Sequence, residues 1–151
     1  MNYHVSNDEL TAGTILYPRY GEMVQDPGFY RISDHNYAQY LKEMIFEDFR
    51  SVHHPKKPSR LNSIYLIEKL ENAKKYKEKF NKKYIYEINL EESSNILSAD
   101  MRWMDLSNRI PIEELFKVID YYFNGIPSYN EDEVFWETLY DGPVKIIKKV
   151  E

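Results

Sequence analysis

The chain is organised around Pro58-Ser59-Arg60-Leu61-Asn62-Ser63-Ile64-Tyr65-Leu66, in which a turn-prone basic run gives way to an apolar strand. Pro58 keeps the residue before it out of the helical region, and the alternation that follows sends Ser63 and Tyr65 to one face of a predicted strand. Polar side chains at such a junction are oriented by the strand and still reach solvent. The stretch therefore predicts either part of a functional site or an ordinary edge strand with a solvated approach.

Length and composition predict a single domain, residues 1–151. Of the 151 residues, 42% are hydrophobic and 15% are aromatic, which suffices for one core. The net charge of −5 argues against a protein that coats nucleic acid electrostatically, although Lys56, Lys57, Arg60 and the run 74–83 could form a local basic patch. The lysines of that run are equally explained as the solvated face of a helix.

The cellular environment is indicated by what the sequence lacks. The chain contains no cysteine, which excludes disulfides, thiolate nucleophiles and thiolate metal sites. Its apolar runs are only a few residues long, and its first residues show no basic segment followed by an apolar one. We therefore expect a soluble, cytoplasmic protein that does not enter a membrane.

Hydrophobic periodicity predicts short strands with three amphipathic helices inserted among them, an order typical of an α+β fold with a largely antiparallel or mixed sheet. Loops are predicted where turn-forming residues cluster. The predicted strands are 2–6, 63–66, 84–90, 95–97 and 144–147, and the segment 11–16 is predicted to be a turn followed by another short strand. The predicted helices are 36–50, 68–81 and 111–123. The predicted loops and turns include 17–30, 98–105, 128–132 and 141–143.

Several common catalytic signatures are missing. The five glycines never occur in a phosphate-cradling spacing, which argues against a Rossmann enzyme and against an NTPase. The chain has no His-Glu-x-x-His and no Gly-x-Ser-x-Gly motif. His53 and His54 are adjacent, so in an extended segment their rings point in different directions and form a poor chelating pair. We expect no metal site.

The long loop at 17–30 contains aromatic and charged residues, a composition that is often functional. We interpret six residues in it and directly after it as possible walls of a site: Arg19, Tyr20, Glu22, Phe29, Tyr30 and Arg31.

Three polar side chains stand where apolar strand residues are expected: His4, Tyr65 and Glu137. Each also has a structural explanation, since a lone histidine is often a structural hydrogen-bonding group and Tyr65 is one of fourteen tyrosines. Glu137 could be the outward residue of an edge strand. Asp100 and Trp103 could cover a cleft, although capping of a turn explains the aspartate equally well.

The order of short motifs resembles the ADP-ribosyltransferase fold in its His-Tyr-Glu form, which diphtheria-toxin-like and poly-ADP-ribose-polymerase-like enzymes share. The chain is similar to small bacterial and phage domains that carry Tyr-His-Val-Ser at the start, then Pro-Ser-Arg-Leu-x-Ser-Ile-Tyr-Leu, Glu-Asn-Ala-Lys-Lys-Tyr, and a late Glu-x-Leu before Gly-Pro-Val-Lys-Ile-Ile. The resemblance implies a split, twisted sheet with inserted helices and a cleft that holds NAD in a bent conformation.

The resemblance also implies roles for the three polar strand residues. His4 would hydrogen-bond the adenosine ribose, and Tyr65 would stack on the nicotinamide ring. Glu137 would be the catalytic carboxylate, because cleavage of the nicotinamide–ribose bond develops a positive charge on the ribose.

Four further residues are expected to bind NAD. Ser6 follows His4 in the first motif, and Ser63 lies on the same strand face as Tyr65. Arg60 is the first choice for pairing with the pyrophosphate at the mouth of the cleft, because a planar guanidinium binds two oxygens at once. Arg19 or Arg31 is the second choice.

Two departures from the family pattern bear on the acceptor. Members that modify arginine carry a Glu-x-Glu pair, but the residue two before Glu137 is Phe135, and the nearest upstream acids are at 131–133. Arginine is therefore a less favoured target. Val5 stands where polymerase-type members often have glycine.

Three functional hypotheses follow. The first is a mono-ADP-ribosyltransferase that transfers ADP-ribose from NAD to a protein or nucleic acid, as a toxin, a phage factor or an inhibitor of host defence. The second is an NAD glycohydrolase, in which water is the acceptor. The third is a non-catalytic protein that binds a partner through its tyrosine-rich surface. The oligomeric state stays open.

Overall fold

The computed structural model describes residues 1–25, 37–92, 94–107, 109–129 and 134–151. These ranges form seven strands and five α-helices, with a 3-10 turn at Arg60–Asn62 directly before the third strand. The strands are β1 (Asn2–Ser6), β2 (Ile15–Leu16), β3 (Ile64–Leu66), β4 (Tyr84–Leu90), β5 (Ile96–Asp100), β6 (Trp136–Tyr140) and β7 (Val144–Lys149). The helices are α1 (Tyr20–Gln25), α2 (Tyr37–His53), α3 (Leu70–Lys79), α4 (Arg102–Leu106) and α5 (Ile112–Phe123).

The strands form two antiparallel sheets. The first has the order β1-β4-β7-β2 and the second the order β3-β6-β5. The sheets meet where Tyr3 and Ile67 exchange backbone hydrogen bonds of 2.8 and 2.9 Å. Although β6 and β7 are joined directly by the turn at 141–143, they lie in different sheets. The predicted α+β class with antiparallel sheets is confirmed.

Three groups of buried side chains connect the sheets and helices. The first joins α2 and α5 to the second sheet, with Phe46 and Leu139 among its members. The second joins β3 to the first sheet through Leu66 and its neighbours, and the third packs Ala73 of α3 on that sheet. Tyr65 packs against the first group while its strand neighbours belong to the second, so β3 has the predicted alternation.

Most predicted elements are found close to their expected positions. The strands expected at 2–6 and 84–90 have those bounds. The three predicted helices correspond to α2, α3 and α5, and they differ from the expected ends by up to three residues. The expected start of the first of them, near residue 36, lies outside the described residues.

Two predicted loops are wrong in part. The segment 98–105 was expected to be irregular, but β5 continues to Asp100 along β6 and α4 follows. Asp100 promotes this change of direction, because its Oδ1 accepts a hydrogen bond of 2.9 Å from the backbone N–H of Arg102. The loop expected at 17–30 contains α1, and its residues 26–30 lie outside the described part of the chain.

Gly21 allows α1 to lie directly on the turn before β3. A Cβ atom at this position would stand 2.5 Å from the carbonyl oxygen of Leu61. We expect Gly21→Ala to displace α1 and to lower the free energy of unfolding by about 1 to 3 kcal/mol, the usual cost of overpacking. Urea denaturation checks this, with the exposed neighbour changed in Glu22→Ala as the control. Equal stability of both variants would contradict the close contact.

Candidate active site

A pocket of about 470 Å³ lies where the two sheets meet. Its walls include residues of β1, β3 and β6 together with the start of α1. Six of the seven residues predicted to bind NAD or to act on it line this pocket: His4, Ser6, Arg19, Ser63, Tyr65 and Glu137. The seventh, Arg60, lies elsewhere.

Strand pairing brings the three polar strand residues together. β3 and β6 are neighbours in the second sheet, so Tyr65 and Glu137 lie on adjacent strands. The bridge between Tyr3 and Ile67 places the middle of β1 beside the end of β3. As a result the His4 Nδ1 atom is 3.4 Å from the carbonyl oxygen of Tyr65. Because a carbonyl oxygen can only accept, this contact requires a proton on Nδ1 of His4.

Glu137 is almost completely buried, with 3% of its surface exposed. Its Oε1 atom accepts hydrogen bonds from Arg60 Nη1 and from the hydroxyl of Tyr122. Its Oε2 atom has no hydrogen-bond partner among the described residues, and no side-chain oxygen or nitrogen in those residues is both fully buried and unpaired. Oε2 therefore keeps some accessible surface, and Glu137 is one of the residues that line the pocket. β6 is the central strand of its sheet, so Glu137 is not the outward residue of an edge strand.

Arg60 lies behind Glu137 and not at the mouth of the pocket, where the sequence led us to expect it. It is 7% exposed, and its Nε and Nη2 atoms donate to the two carboxylate oxygens of Glu43 at 2.9 and 3.0 Å. The 3-10 turn directs the side chain inward, and α2 supplies the second carboxylate. Burial disfavours the guanidinium charge and lowers the pKa of Arg60. The electrostatic attraction of its neighbours is larger and raises this pKa well above its ordinary value; these neighbours are Glu43, Tyr122, Tyr65 and Glu137.

This buried group has one cation between two carboxylates. Burial raises the pKa values of Tyr65 and Tyr122 well above their ordinary range, with Arg60 opposing the shift in both. Both phenols are therefore neutral at physiological pH. The formal charges of Glu43, Arg60 and Glu137 sum to one net negative charge. A positive charge in the pocket beside Glu137 is thereby favoured.

The approach to β3 is fixed by hydrogen bonds instead of being freely solvated. The Ser59 hydroxyl accepts from the backbone N–H of Leu61 at 3.1 Å and donates to Glu47 at 2.7 Å. Arg50 donates to the same carboxylate at 2.7 and 3.0 Å. The Ser63 hydroxyl donates to the Ser59 carbonyl at 2.6 Å. These bonds hold the turn that carries Arg60, and so they position Glu137 indirectly.

Aromatic rings form a large part of the pocket wall. The rings of Tyr20 and Tyr65 meet edge to face with centroids 5.5 Å apart. The Tyr65 hydroxyl donates to the backbone carbonyl of Arg60 at 2.8 Å, which holds the ring in place. Tyr76 of α3 also lines the pocket, and burial together with Glu137 raises its pKa to about 12. Such faces bind planar and cationic groups.

Burial lowers the pKa of His4, while the hydrogen bond to the Tyr65 carbonyl opposes the shift. The unfolded chain therefore takes up a proton before the folded one as the pH falls through about 6.5. We expect the free energy of unfolding to decrease from pH 7.5 to 5.5, with at most about 1.4 kcal/mol per pH unit from this group. His4→Gln should flatten the decrease, whereas a change at the exposed His53 in His53→Gln should not. Parallel curves for wild type and His4→Gln would refute this assignment.

Some predicted residues take structural roles. Asp100 is fully buried. Its carboxylate accepts hydrogen bonds from the backbone N–H of Arg102 and from the backbone N–H and hydroxyl of Ser128. These bonds support the interpretation that Asp100 caps a turn. The Trp103 indole donates to the carbonyl of Ile126. Neither residue lines the pocket. Phe29, Tyr30, Arg31 and the acids at 131–133 lie outside the described residues.

Three contributors were missed in the sequence. Glu43 is buried beside Phe46 on the inner face of α2, whereas the apolar Leu41 of the same helix is 43% exposed. The available signal in the sequence was a carboxylate three residues before a phenylalanine, a spacing that places both side chains on one face of a helix. Tyr122 was hidden among apolar neighbours in α5, and Lys82, which lines the pocket near His4, was hidden in a lysine-rich run.

Two further features concern possible metal ligands and membrane-spanning helices in the described parts of the chain. No group of three or more His, Asp or Glu side chains in those parts is arranged to hold a metal ion. The His54 Nε2 atom lies 2.7 Å from Asp120 Oδ1. No helix within the described ranges is long and apolar enough to cross a membrane.

A family model matches most of the chain. The model of a family described as "Protein of unknown function (DUF2441)" matches residues 8–151. No curated protein matches the chain. The family match covers Tyr65 and Glu137 but begins after His4 and Ser6.

Proposed function

The chain belongs to the DUF2441 family, and we propose that it is a mono-ADP-ribosyltransferase that transfers ADP-ribose from NAD to a macromolecule. The observation that carries this proposal is the meeting of His4, Tyr65 and Glu137 in one pocket, although 133 positions separate the first from the last. We also assign the chain an ADP-ribosyltransferase-like fold. Two antiparallel sheets that join beside a pocket support that assignment.

The pocket suits NAD in size and chemistry. Its volume of about 470 Å³ lies within the range of about 300 to 1,000 Å³ that is usual for small-molecule sites. His4 offers Nε2 as an acceptor for a ribose hydroxyl, and Tyr65 offers a ring for the nicotinamide. Arg19 and Lys82 line the same pocket and are the cations available to the pyrophosphate. Arg60 is excluded from that role by its burial.

The reaction breaks the bond between ribose C1′ and the nicotinamide nitrogen. Nicotinamide leaves with the bonding electron pair, and positive charge develops on the ribose. Glu137 stabilises this charge, because it lines the pocket and the buried group to which it belongs has a net formal charge of one negative. The acceptor then bonds to C1′ and releases its proton, so NAD and the acceptor become nicotinamide, the ADP-ribosylated product and a proton.

Incubation of the protein with NAD labelled in its adenylate part and a bacterial lysate tests the proposal. We expect label on a macromolecule and release of nicotinamide, both lost in Glu137→Gln. A matched control is Glu68→Gln, which removes a carboxylate that binds Ser98 and Thr138 but does not line the pocket. If NAD is neither bound nor consumed by the wild type, the proposal fails.

An NAD glycohydrolase is the second candidate. It is favoured by Phe135, which occupies the position of the second carboxylate in arginine-modifying members and packs its ring 5.9 Å from that of Tyr76. Water is small enough to reach C1′ without a second carboxylate that positions it, whereas a macromolecular acceptor has to be positioned by the protein. Free ADP-ribose without any labelled macromolecule would support this reaction over transfer.

A non-catalytic binding protein is less favoured. That hypothesis predicts that His4, Tyr65 and Glu137 lie far apart or that their cleft is filled by side chains. These residues instead line one pocket.

A further inference from the structure

A second cleft, of about 410 Å³, lies close to the candidate active site, because each of the two is lined by one ring of the neighbouring pair Tyr76 and Phe135. Tyr76 lines the first pocket and Phe135 lines the second, and their ring centroids are 5.9 Å apart. Phe135 precedes Glu137 by two residues. A ligand in the second cleft would therefore lie next to the proposed position of NAD. The cleft is lined by Lys79, Arg102, Asp105, Leu106, Arg109 and Phe135.

The second cleft is basic. Three cations and one carboxylate line it, which leaves a formal charge of +2. The Lys79 ammonium is 3.6 Å from Asp105, but both side chains are about half exposed or more, so this pair is weak and readily exchanged for another anion. The exposed Arg109 has no carboxylate within ion-pair distance among the described residues. An anionic ligand is therefore favoured.

The charge of the neighbouring helix extends this basic surface. Residues 69–83, which include α3, contain seven lysines and two glutamates, a formal charge of +5 in a chain whose net charge is −5. Lys75 precedes Lys79 by one helical turn and is exposed, without an ion-pair partner in the described part of the chain. Lys82 reaches the first pocket. Positive charge thus continues from the second cleft to the candidate active site.

Aromatic rings alternate with these cations. The Lys79 ammonium lies 5.2 Å from the ring centre of Phe135 and 5.3 Å from that of Phe80. The Arg102 guanidinium lies 4.5 Å from the ring centre of Tyr129, whose surface is 54% exposed. Cations that bind phosphates beside rings that stack on bases are typical of surfaces for single-stranded nucleic acid. An acidic peptide would use the cations but would gain little from the exposed rings.

We propose that the second cleft binds a single-stranded segment of nucleic acid and presents it as the acceptor of ADP-ribose. This inference rests on the proposed function for its catalytic part and on the cleft alone for its binding part. Lys79 and Arg109 contact backbone phosphates, and Tyr129 stacks on a base. The acceptor nucleophile then lies beyond Phe135, near Glu137.

Fluorescence anisotropy with a labelled 12-nucleotide single strand, in DNA and RNA versions, tests the binding part. We expect affinity that falls with salt, and a loss of about tenfold or more in the double variant Lys79→Gln/Arg109→Gln, with a salt slope lower by about 1.4. Tyr129→Ala should weaken binding about tenfold. The control Lys56→Gln/Lys117→Gln removes the same charge from other surfaces and should change affinity less than twofold.

Three results would overturn the binding part: no binding of either strand at 50 mM salt, equal losses in the two double variants, or equally tight binding of polyglutamate. NAD hydrolysis measured on the same variants separates the two proposals. Loss of strand binding with unchanged NAD hydrolysis in Lys79→Gln/Arg109→Gln supports a separate acceptor cleft. If the wild-type protein binds the single strand but does not consume NAD, the proposed function is refuted and the inference that the second cleft binds nucleic acid still stands. Transfer of label from NAD to the strand supports both.

Discussion

Glu137→Gln is expected to lower the rate of NAD consumption about a hundredfold or more, the usual cost of removing one electrostatic group from a transition state. The amide has the shape of the carboxylate, so its oxygen can still accept from Arg60 and Tyr122. It cannot stabilise the positive charge that develops on the ribose. Initial rates of nicotinamide release by wild type and variant measure the effect.

The fold of Glu137→Gln should change little. Arg60 keeps its two hydrogen bonds to Glu43, so the guanidinium is not left without an anion. We expect the free energy of unfolding to fall by no more than about 2 kcal/mol. If the folded Glu137→Gln variant consumes NAD at the wild-type rate, Glu137 has no part in the mechanism. Glu68→Gln should match the wild type in rate.

Arg60→Met is expected to have the largest effect on stability, a loss of about 3 to 5 kcal/mol in the free energy of unfolding. The methionine fills much of the same space, but Glu43 and Glu137 are 1% and 3% exposed and lose the cation between them. Two carboxylates without a cation repel each other and lack their solvation. The midpoint of urea denaturation measures the loss, and Arg109→Met at an exposed site should stay within about 0.5 kcal/mol of the wild type.

The triple variant Arg60→Met/Glu43→Gln/Glu137→Gln separates loss of charge balance from loss of packing. If unpaired carboxylates cause the instability, neutralising both should recover more than half of it. If the triple variant is as unstable as Arg60→Met, the guanidinium contributes mainly through its packing against Tyr65 and Tyr122, whose ring centres lie 5.2 and 5.3 Å away. A fully stable Arg60→Met would contradict the buried ion pairs.

Arg60 thus connects stability with the proposed catalysis. It donates to Oε1 of Glu137, while Oε2 has no hydrogen-bond partner among the described residues, and Glu43 accepts from the other nitrogen atoms of Arg60. The guanidinium of Arg60 keeps the Glu137 carboxylate in place, and its positive charge also offsets the negative charge of that carboxylate. Glu43 leaves the group one net negative charge, which is what a developing cation in the pocket requires.

Local sequence patterns predicted much of the fold. Alternation at 2–6 and 84–90 and the helical spacing after Pro111 predicted β1, β4 and α5, because periodicity shows which face of an element is buried. The same alternation placed Tyr65 opposite its apolar neighbours in β3. The roles assigned to His4, Tyr65 and Glu137 in NAD chemistry stay predictions.

What periodicity cannot show is the partner of a buried face. The pairing of Arg60 with Glu43 and Glu137 joins residues 17 and 77 positions apart, and only the packing of α2 on the second sheet brings them together. The separation of β6 and β7 into two sheets was decided in the same way.

The amino-acid sequence by itself thus determined which segments form strands and helices and which polar residues interrupt them. The tertiary structure alone decided that Arg60 faces inward, because burying a cation is tolerable only where distant parts of the chain supply its anions.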